Sequence, residues 1–407
     1  MSERSFRERF GALQRDAAPP KRALPDEWPL PSGARLLSTT AGPCAVIERV
    51  VGGQPIVAAH ERFVAAAEAN DRRYHDPRRL IFLDTETTGL SGGTGTYVFL
   101  VGIGQFVGRD FLLRQFFMRH PGDERSLLAG LAEALSRAGG LVTYNGRSFD
   151  VPLLDTRFRM HAQSFPAPDA HFDLLSPARA IWKHRLPNCS LGTIERMVLG
   201  VSRSLDAPGW MIPQMYFDYL QSRDVSSLDA VFEHNRTDIL TLARLMSVVQ
   251  SYEAGLDQPA DAVDRVAVAL HRWRALGSPE ALDELSESWS TLSVPTTLRL
   301  RAMREVSAAY KRRRNYAAAC ATWEKALSDP ARDIRLLAAE ELSKHLEHRE
   351  RDHERAMAMA QRGADGAALA GDLDMVAAFE HRLRRLEMKV RRGQTVRAVG
   401  EGTMDSE

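Results

Sequence analysis

Asp84, Glu86, Asp150 and Asp238 are the residues of this 407-residue chain whose types and spacing point most directly to chemistry. They fall in three short motifs. The first is Leu83-Asp84-Thr85-Glu86-Thr87-Thr88-Gly89-Leu90, the second Thr143-Tyr144-Asn145-Gly146-Arg147-Ser148-Phe149-Asp150, and the third His234-Asn235-Arg236-Thr237-Asp238. An Asp and a Glu two apart on a strand point to the same side, and two anions at close range raise each other's pKa unless something positive sits between them. A divalent cation removes that conflict, and an oxygen-only donor set selects a hard ion such as Mg2+ or Mn2+. A lone Asp-x-Glu also has a plainer reading, in which Asp84 turns the strand end and Glu86 is solvated. The other two motifs tip the balance toward two-metal phosphodiester chemistry.

The elements that must position these residues are legible around them. Leu80-Ile81-Phe82-Leu83 is an apolar run of the kind found in a strand covered on both faces. Gly140 to Tyr144 reads as a second strand running into a turn at Asn145-Gly146, since both residues tolerate positive φ. A helix then starts at Phe149, with Asp150 in its first turn, where the macrodipole favours an anion. Leu228 to Val249 carries Val231, Phe232, Ile239, Leu242, Leu245 and Met246 at helical spacing. His234 and Asp238, four apart, share a face of that helix, either as an imidazole and a metal-binding carboxylate or as a simple stabilising pair.

Taken together, these pieces resemble the DEDD exonuclease arrangement on a ribonuclease-H-like fold, most closely the YprB-type ribonuclease-H-like family. The resemblance runs from about Leu80 to Gln250 and includes Val98-Phe99-Leu100-Val101-Gly102-Ile103-Gly104, Phe172 to Arg179 and Trp182 to Leu191. It implies an α/β domain with a mixed central sheet flanked by helices. It also implies Asp84, Glu86, Asp150 and Asp238 as ligands of two Mg2+ or Mn2+ ions about 4 Å apart, with Asp84 bridging them. His234 is the expected general base, its unperturbed pKa near 6.5 suiting that role. Its spacing, four before the last Asp, is that of the tyrosine type of DEDD enzyme, and one residue of slip rotates a helical side chain by about 100°. Thr87, Tyr144, Asn145, Trp182, Lys183 and Arg185 are the expected nucleic-acid contacts, the last three because cations neutralise phosphates and an adjacent aromatic suits single strands. Trp182 has the alternative of being core. The implied activity is a metal-dependent nuclease acting on DNA or RNA, a 3′-5′ exonuclease on single strands or 3′ ends. The alternative is a non-catalytic scaffold that grips nucleic acid with a nuclease-like domain.

Ser91-Gly92-Gly93-Thr94-Gly95-Thr96 lacks the Gly-Lys-Ser/Thr ending of a P-loop and falls between strands, so it reads as a hairpin lip beside the site. A formal net charge of +1 gives no global basic field, so any nucleic-acid binding must be local. Cys44, Cys189 and Cys320 are widely separated and indicate neither a disulfide framework nor a zinc site, which fits a cytoplasmic protein. No secretory signal or membrane segment is apparent.

The expected organisation has five parts. Residues 1–40 form a disordered lead-in, and 41–79 an extension docking on the nuclease domain, with Pro43 to Val50 as an edge strand. Residues 80–250 are the ribonuclease-H-like domain, 255–390 an all-α helical-repeat domain and 391–407 a disordered tail. Within the helical part, Tyr310, Tyr316, Ala319, Trp323, Ala326 and Pro330 resemble a tetratricopeptide repeat, with a weaker copy about 37 residues on at His353, Ala356 and Ala360. The helices of Val263 to Leu292 would add another layer. Such an array is suited to holding a protein partner, or nucleic acid through Lys311-Arg312-Arg313-Arg314, a run that also suits a helix C-terminus.

Overall fold

The computed structural model describes residues 27–69, 77–89, 94–203 and 207–401, with side chains through Arg391. Most of the expected lead-in, Leu90, Ser91 to Gly93 of the glycine-rich loop and residues 402–407 of the tail lie outside the described residues. The chain divides into two compact units. One runs through Ser176 and resumes from Leu191 to Gln250, and the other takes Pro177–Ser190 and the residues from Ser251 on.

The first unit is built on one seven-stranded sheet. Its strands are β1 (Ala34–Thr39), β2 (Gly42–Val51), β3 (Leu80–Thr87), β4 (Val98–Val107), β5 (Asp110–Phe117), β6 (Gly140–Thr143) and β7 (Ala170–Asp173), in the order β1-β2-β5-β4-β3-β6-β7. β3 runs antiparallel to β4 and parallel to β6, which makes the sheet mixed. The helices, in chain order, are α1 (Gln54–Ala69), α2 (Glu124–Leu135), α3 (Asp150–Met160), α4 (Leu175–Trp182), most of which belongs to the second unit, α5 (Leu191–Ile194), α6 (Ile212–Ser222) and α7 (Asp229–Glu253).

Strand alternation explains why β3 opens with an unbroken apolar run. Ile81 and Leu83 pack with Leu128 and Leu131 of α2 and with Leu153, Leu154 and Phe158 of α3. Phe82 faces the other way, edge-on to Phe63 of α1 and to Phe106 of β4. Covered on both faces, the strand has no position for a solvated residue until it reaches Asp84. The α2 and α3 pair is clamped by Arg157, 1% exposed, whose guanidinium meets Glu124 at 2.5 and 2.6 Å and donates to Thr94 O at 2.8 Å.

Two expectations at the N-terminal side are corrected. The piece expected as an edge strand, Pro43 to Val50, lies inside the sheet, because β2 pairs with β1 on one side and β5 on the other. β1 in turn falls within the stretch expected to be disordered. Its short sequence shows little periodicity, and it is held by the ladder to β2 and by a tight turn in which Thr39 Oγ1 donates to Gly42 O at 2.7 Å.

The second unit is helical: α8 (Ala262–Leu276), α9 (Pro279–Ser288), α10 (Thr296–Arg312), α11 (Tyr316–Ala326), α12 (Arg332–His345), α13 (His353–Ala368) and α14 (Leu373–Glu401). Side-chain caps at Asp261, Ser278, Asn315 and Asp352 set four of the starts, each accepting from an amide in the first turn. Trp289, Met303, Ala319, Trp323 and Ala326 lie in its core. Tyr316 and His353 open α11 and α13, and Ala319 and Trp323 in the one are matched by Ala356 and Ala360 in the other as buried positions. α14 runs through residues 391–401, where the charged composition reads as disorder; extending a helix already nucleated by packed turns costs little. Among the described residues, no helix is long and apolar enough to cross a membrane.

Glu347, with no side-chain exposure, ties α14 to the turn after α12, meeting Arg385 at 2.6 Å, Lys389 at 2.7 Å and Arg382 at 3.0 Å. Burial pushes its carboxyl up, but Lys389 and Arg385 override that and hold it below the usual carboxylate value. A depressed folded pKa contributes stability above the unfolded value and loses it as pH falls through the folded one. Glu347→Gln is therefore expected to lower stability by about 1–3 kcal/mol at neutral pH. The gap to the native chain should close below about pH 4, as read from urea unfolding followed by helical circular dichroism.

Candidate active site

Asp84 and Glu86 project from β3 on the side of Phe82, and the register of the sheet decides what lies opposite. Asp84 pairs with Gly102 and Phe82 with Gly104 on β4. Without side chains at these two positions, α7 settles directly onto the strand. A Cβ on Gly102 would lie 2.1 Å from Asn235 Oδ1, and one on Gly104 would lie 2.6 Å from Ile239 Cγ2. Asn235 is completely buried and accepts from Gln115 Nε2 at 3.0 Å, while its own amide donates to Asp84 Oδ2 at 2.9 Å and to Asp84 O at 3.3 Å. This seat fixes the rotation of α7 and brings Asp238 near enough for its charge to act on Asp84.

Asp150 arrives from the opposite side of β3. Thr85, which alternates away from Asp84 and Glu86, donates its hydroxyl to Asp150 Oδ1 at 2.5 Å, at the start of α3. The turn before it is left-handed at Asn145, with φ 65°. It is fastened by Asp173 at the end of β7, whose carboxylate accepts from the amides of Asn145 at 2.7 Å, Arg147 at 3.1 Å and Leu175 at 3.1 Å.

The electrostatics follow from this crowding. Burial, then the charges of Asp238, Glu86 and Asp150 in that order, push the Asp84 carboxyl well above its ordinary range, and the Asn235 hydrogen bond only partly offsets them. Burial raises Asp150 to about 6, against the lowering effect of Thr85. Asp238 is raised by burial, while His234 and Arg203 pull it down.

Arg203 is the residue that sequence reasoning missed. Its guanidinium is paired with Glu195, 1% exposed, at 2.7 and 2.6 Å. It also donates to Asp238 Oδ1, and its Nη1 lies 3.1 Å from His234 Nδ1. A guanidinium only donates, so Nδ1 accepts and the imidazole proton belongs on Nε2, which lies 3.5 Å from Asp238 Oδ2. Glu195 opens a π-helical turn, Glu195–Leu199, and accepts from Thr241 of α7 at 2.6 Å. The carboxylates are not drawn up as a closed ligand shell: among the described residues they do not gather three oxygens within 4.8 Å. Arg203 supplies the positive charge at Asp238. An all-oxygen set whose members repel one another, with a cation already against one of them, is a donor set that fits hard divalent ions.

The expected nucleic-acid contacts divide. Tyr144 and Asn145 sit on the turn that leads to Asp150. Thr87 ends β3, with its hydroxyl donated to Gly89 O at 2.7 Å. Trp182, Lys183 and Arg185 lie in Pro177–Ser190, the stretch that groups with the second unit. Trp182 is 1% exposed and therefore core, not a surface on which a base could stack. Arg185 is taken up by Asp264 at 2.7 Å, and Lys183 is exposed. Of the basic run at the end of α10, Lys311 pairs with Glu341 at 2.9 Å and Arg313 lies over the Trp273 ring.

A mixed sheet covered by helices on both faces, carrying acidic residues at the end of an inner strand, is the architecture of the RNase H superfamily. Residues 81–250 match the profile of that superfamily. The chain is also 30% identical over 317 residues to YprB of Bacillus subtilis (strain 168), a match that covers 77% of this chain and 76% of that one. It therefore belongs to the YprB family. Among solved structures it is similar to the family B DNA polymerase from the hyperthermophilic archaeon Pyrobaculum calidifontis, at 16% identity and a TM-score of 0.37, covering 51% of this chain and 30% of the polymerase.

Proposed function

We propose that the chain is a metal-dependent nuclease that hydrolyses phosphodiester bonds of DNA or RNA, acting as a 3′-5′ exonuclease. The observation that carries this reading is the convergence of Asp84 and Glu86 from β3, Asp238 from α7 and Asp150 from α3 on one strand end, at a strong mutual electrostatic cost. These four residues would hold Mg2+ or Mn2+, two ions in all. When bound, such ions supply Lewis-acid activation of water and charge stabilisation at the phosphate. His234 would take the proton of the attacking water, which requires that Arg203 first leave Nδ1. Thr87, Tyr144 and Asn145 would border the strand end, and the exposed Lys183 is read separately as a phosphate contact. The helical unit is read as a tetratricopeptide-like platform for a protein partner, and the setting as cytoplasmic.

Arg203 also favours a second reading. A guanidinium lodged on Asp238 is what a binding domain that grips nucleic acid without cutting would keep. Digestion of 5′-labelled single-stranded DNA and RNA, and of 3′-overhang duplexes, with Mg2+, Mn2+ or chelator separates the two. A metal-dependent ladder shortening from the 3′ end supports the nuclease; binding in every lane without cleavage supports the scaffold.

On the nuclease reading Arg203 competes with the metal. Arg203→Met is expected to bind Mn2+ about tenfold more tightly by calorimetric titration, a gain of about 1.4 kcal/mol. In chelator the variant should be less stable by about 3–5 kcal/mol, because Glu195 is left buried without its counter-charge. Unchanged Mn2+ affinity would mean that Arg203 and the ion do not share Asp238.

A further inference from the structure

The helical unit gathers three side chains of metal-ligating type that phosphodiester chemistry leaves unused. Cys320 on α11, His345 at the end of α12 and Glu350 at the end of the following turn bring a sulfur, a ring nitrogen and a carboxylate oxygen within 4.8 Å of one another. Local structure puts each one there. Tyr316, Cys320 and Trp323 follow at helical spacing along one side of α11. His345 lies against that side, its ring 5.8 Å from that of Tyr316 and 6.3 Å from that of Trp323. Residues Leu346–Glu350 form a π-helical turn. In an α-helix, residues five apart stand about 140° apart around the axis. The wider π turn, with its i to i+5 bonding, carries Glu350 back toward His345. Glu350 Oε1 consequently lies 3.2 Å from His345 Nε2. Single π turns are uncommon and recur where a side chain is being aimed at a function.

We propose that Cys320, His345 and Glu350 form a zinc(II) site, separate from the carboxylates of the first unit and independent of the nuclease reading. A thiolate, an imidazole and a carboxylate suit borderline-soft zinc, where an all-oxygen set suits magnesium or manganese. Two nitrogen or oxygen ligands about 2.0–2.1 Å from a tetrahedral zinc stand about 3.3 Å apart, a spacing that His345 and Glu350 already have. The Cys320 sulfur, within 4.8 Å of both, would close by about 1 Å at most to join them. Arg355 takes the other Glu350 oxygen at 3.4 Å and leaves Oε1 to the ion. Binding releases the thiol proton to solvent, and the ligand set then balances the ion's charge. Three protein ligands leave a fourth position for water or for a donor from a partner. The ion ties α11 to the end of α12.

The test is titration of the full chain with cobalt(II), whose thiolate complexes absorb by sulfur-to-metal charge transfer, followed by zinc(II) displacement. The native chain and Asp84→Ala should both develop the band, and zinc should abolish it. Cys320→Ser should lose it, and competition against a chromophoric chelator should show zinc binding at least tenfold weaker in Cys320→Ser and in Glu350→Gln. Glu350 is exposed, so the second variant reads the site without disturbing the core. Absence of the band in the native chain, or its persistence in Cys320→Ser, overturns the proposal. Because the band requires sulfur, ions held by Asp84 and its neighbours cannot produce it.

Discussion

Asp84→Ala is expected to lower phosphodiester hydrolysis by about 1,000-fold or more, which is about 4 kcal/mol of transition-state stabilisation. The same variant, in chelator, is expected to melt no lower than the native chain. Both follow from one arrangement. Burial first, then the charges of Asp238 and Glu86, hold the Asp84 carboxyl well above the ordinary range, so ionising it costs the metal-free fold stability. Removing it forfeits the hydrogen bond from Asn235, about 1 kcal/mol, and relieves the repulsion. The native chain should gain thermal stability on adding Mn2+, and the variant should gain far less. Asp84→Asn, which keeps the shape, separates charge from packing and should match the alanine variant in activity. Cleavage at the native rate in either would remove Asp84 from the ligand set.

Gly102→Ala should be the most damaging single methyl in the first unit. The new Cβ would stand 2.1 Å from Asn235 Oδ1 and 2.8 Å from its Cγ. Asn235 has little room to yield, because Gln115 holds one side of the amide and Asp84 the other. Overpacking of this kind costs about 1–3 kcal/mol, and loss of the amide's hydrogen bonds adds about 1 kcal/mol each. A drop in melting temperature of about 10 °C is expected. Activity should fall further than stability, since the displaced helix carries His234 and Asp238. Adding Asn235→Ala to Gly102→Ala should restore part of the melting temperature and none of the activity. A Gly102→Ala protein that melts with the native chain would show that α7 is not seated as described.

What could be read from the sequence was local. The run Leu80 to Leu83, the Asn145-Gly146 turn and the apolar stripe of α7 each state their structure within a few residues. The acidic motifs stand just as locally in the sequence, on the strand end and the helices that carry them. Arg203 and Glu195 could not be found so, because the pairing of Arg203 with Glu195, Asp238 and His234, and of Glu195 with Thr241, exists only once a π turn and the body of α7 have met. Gly102 and Gly104 stood inside a segment already matched to the family, yet their purpose appears only with the register that sets Gly102 opposite Asp84. Trp182 was open between core and surface, and burial decided for core. The group of Cys320, His345 and Glu350 carries no spacing signature, since its ligands come from two helices and a turn.

The order in which the carboxylates occur along the chain also bears on how the protein is made. Asp84 and Glu86 emerge from a ribosome first, Asp150 follows, and Asp238 comes only with α7. At about 5–20 residues per second, the interval between the last two is roughly 4–18 s. During that time a nascent chain has neither the helix that seats on Gly102 nor its final carboxylate. On the nuclease reading, a protein with this layout is synthesised beside messenger and ribosomal RNA while its proposed ligand set is incomplete, and competence would arrive only when the whole unit has closed.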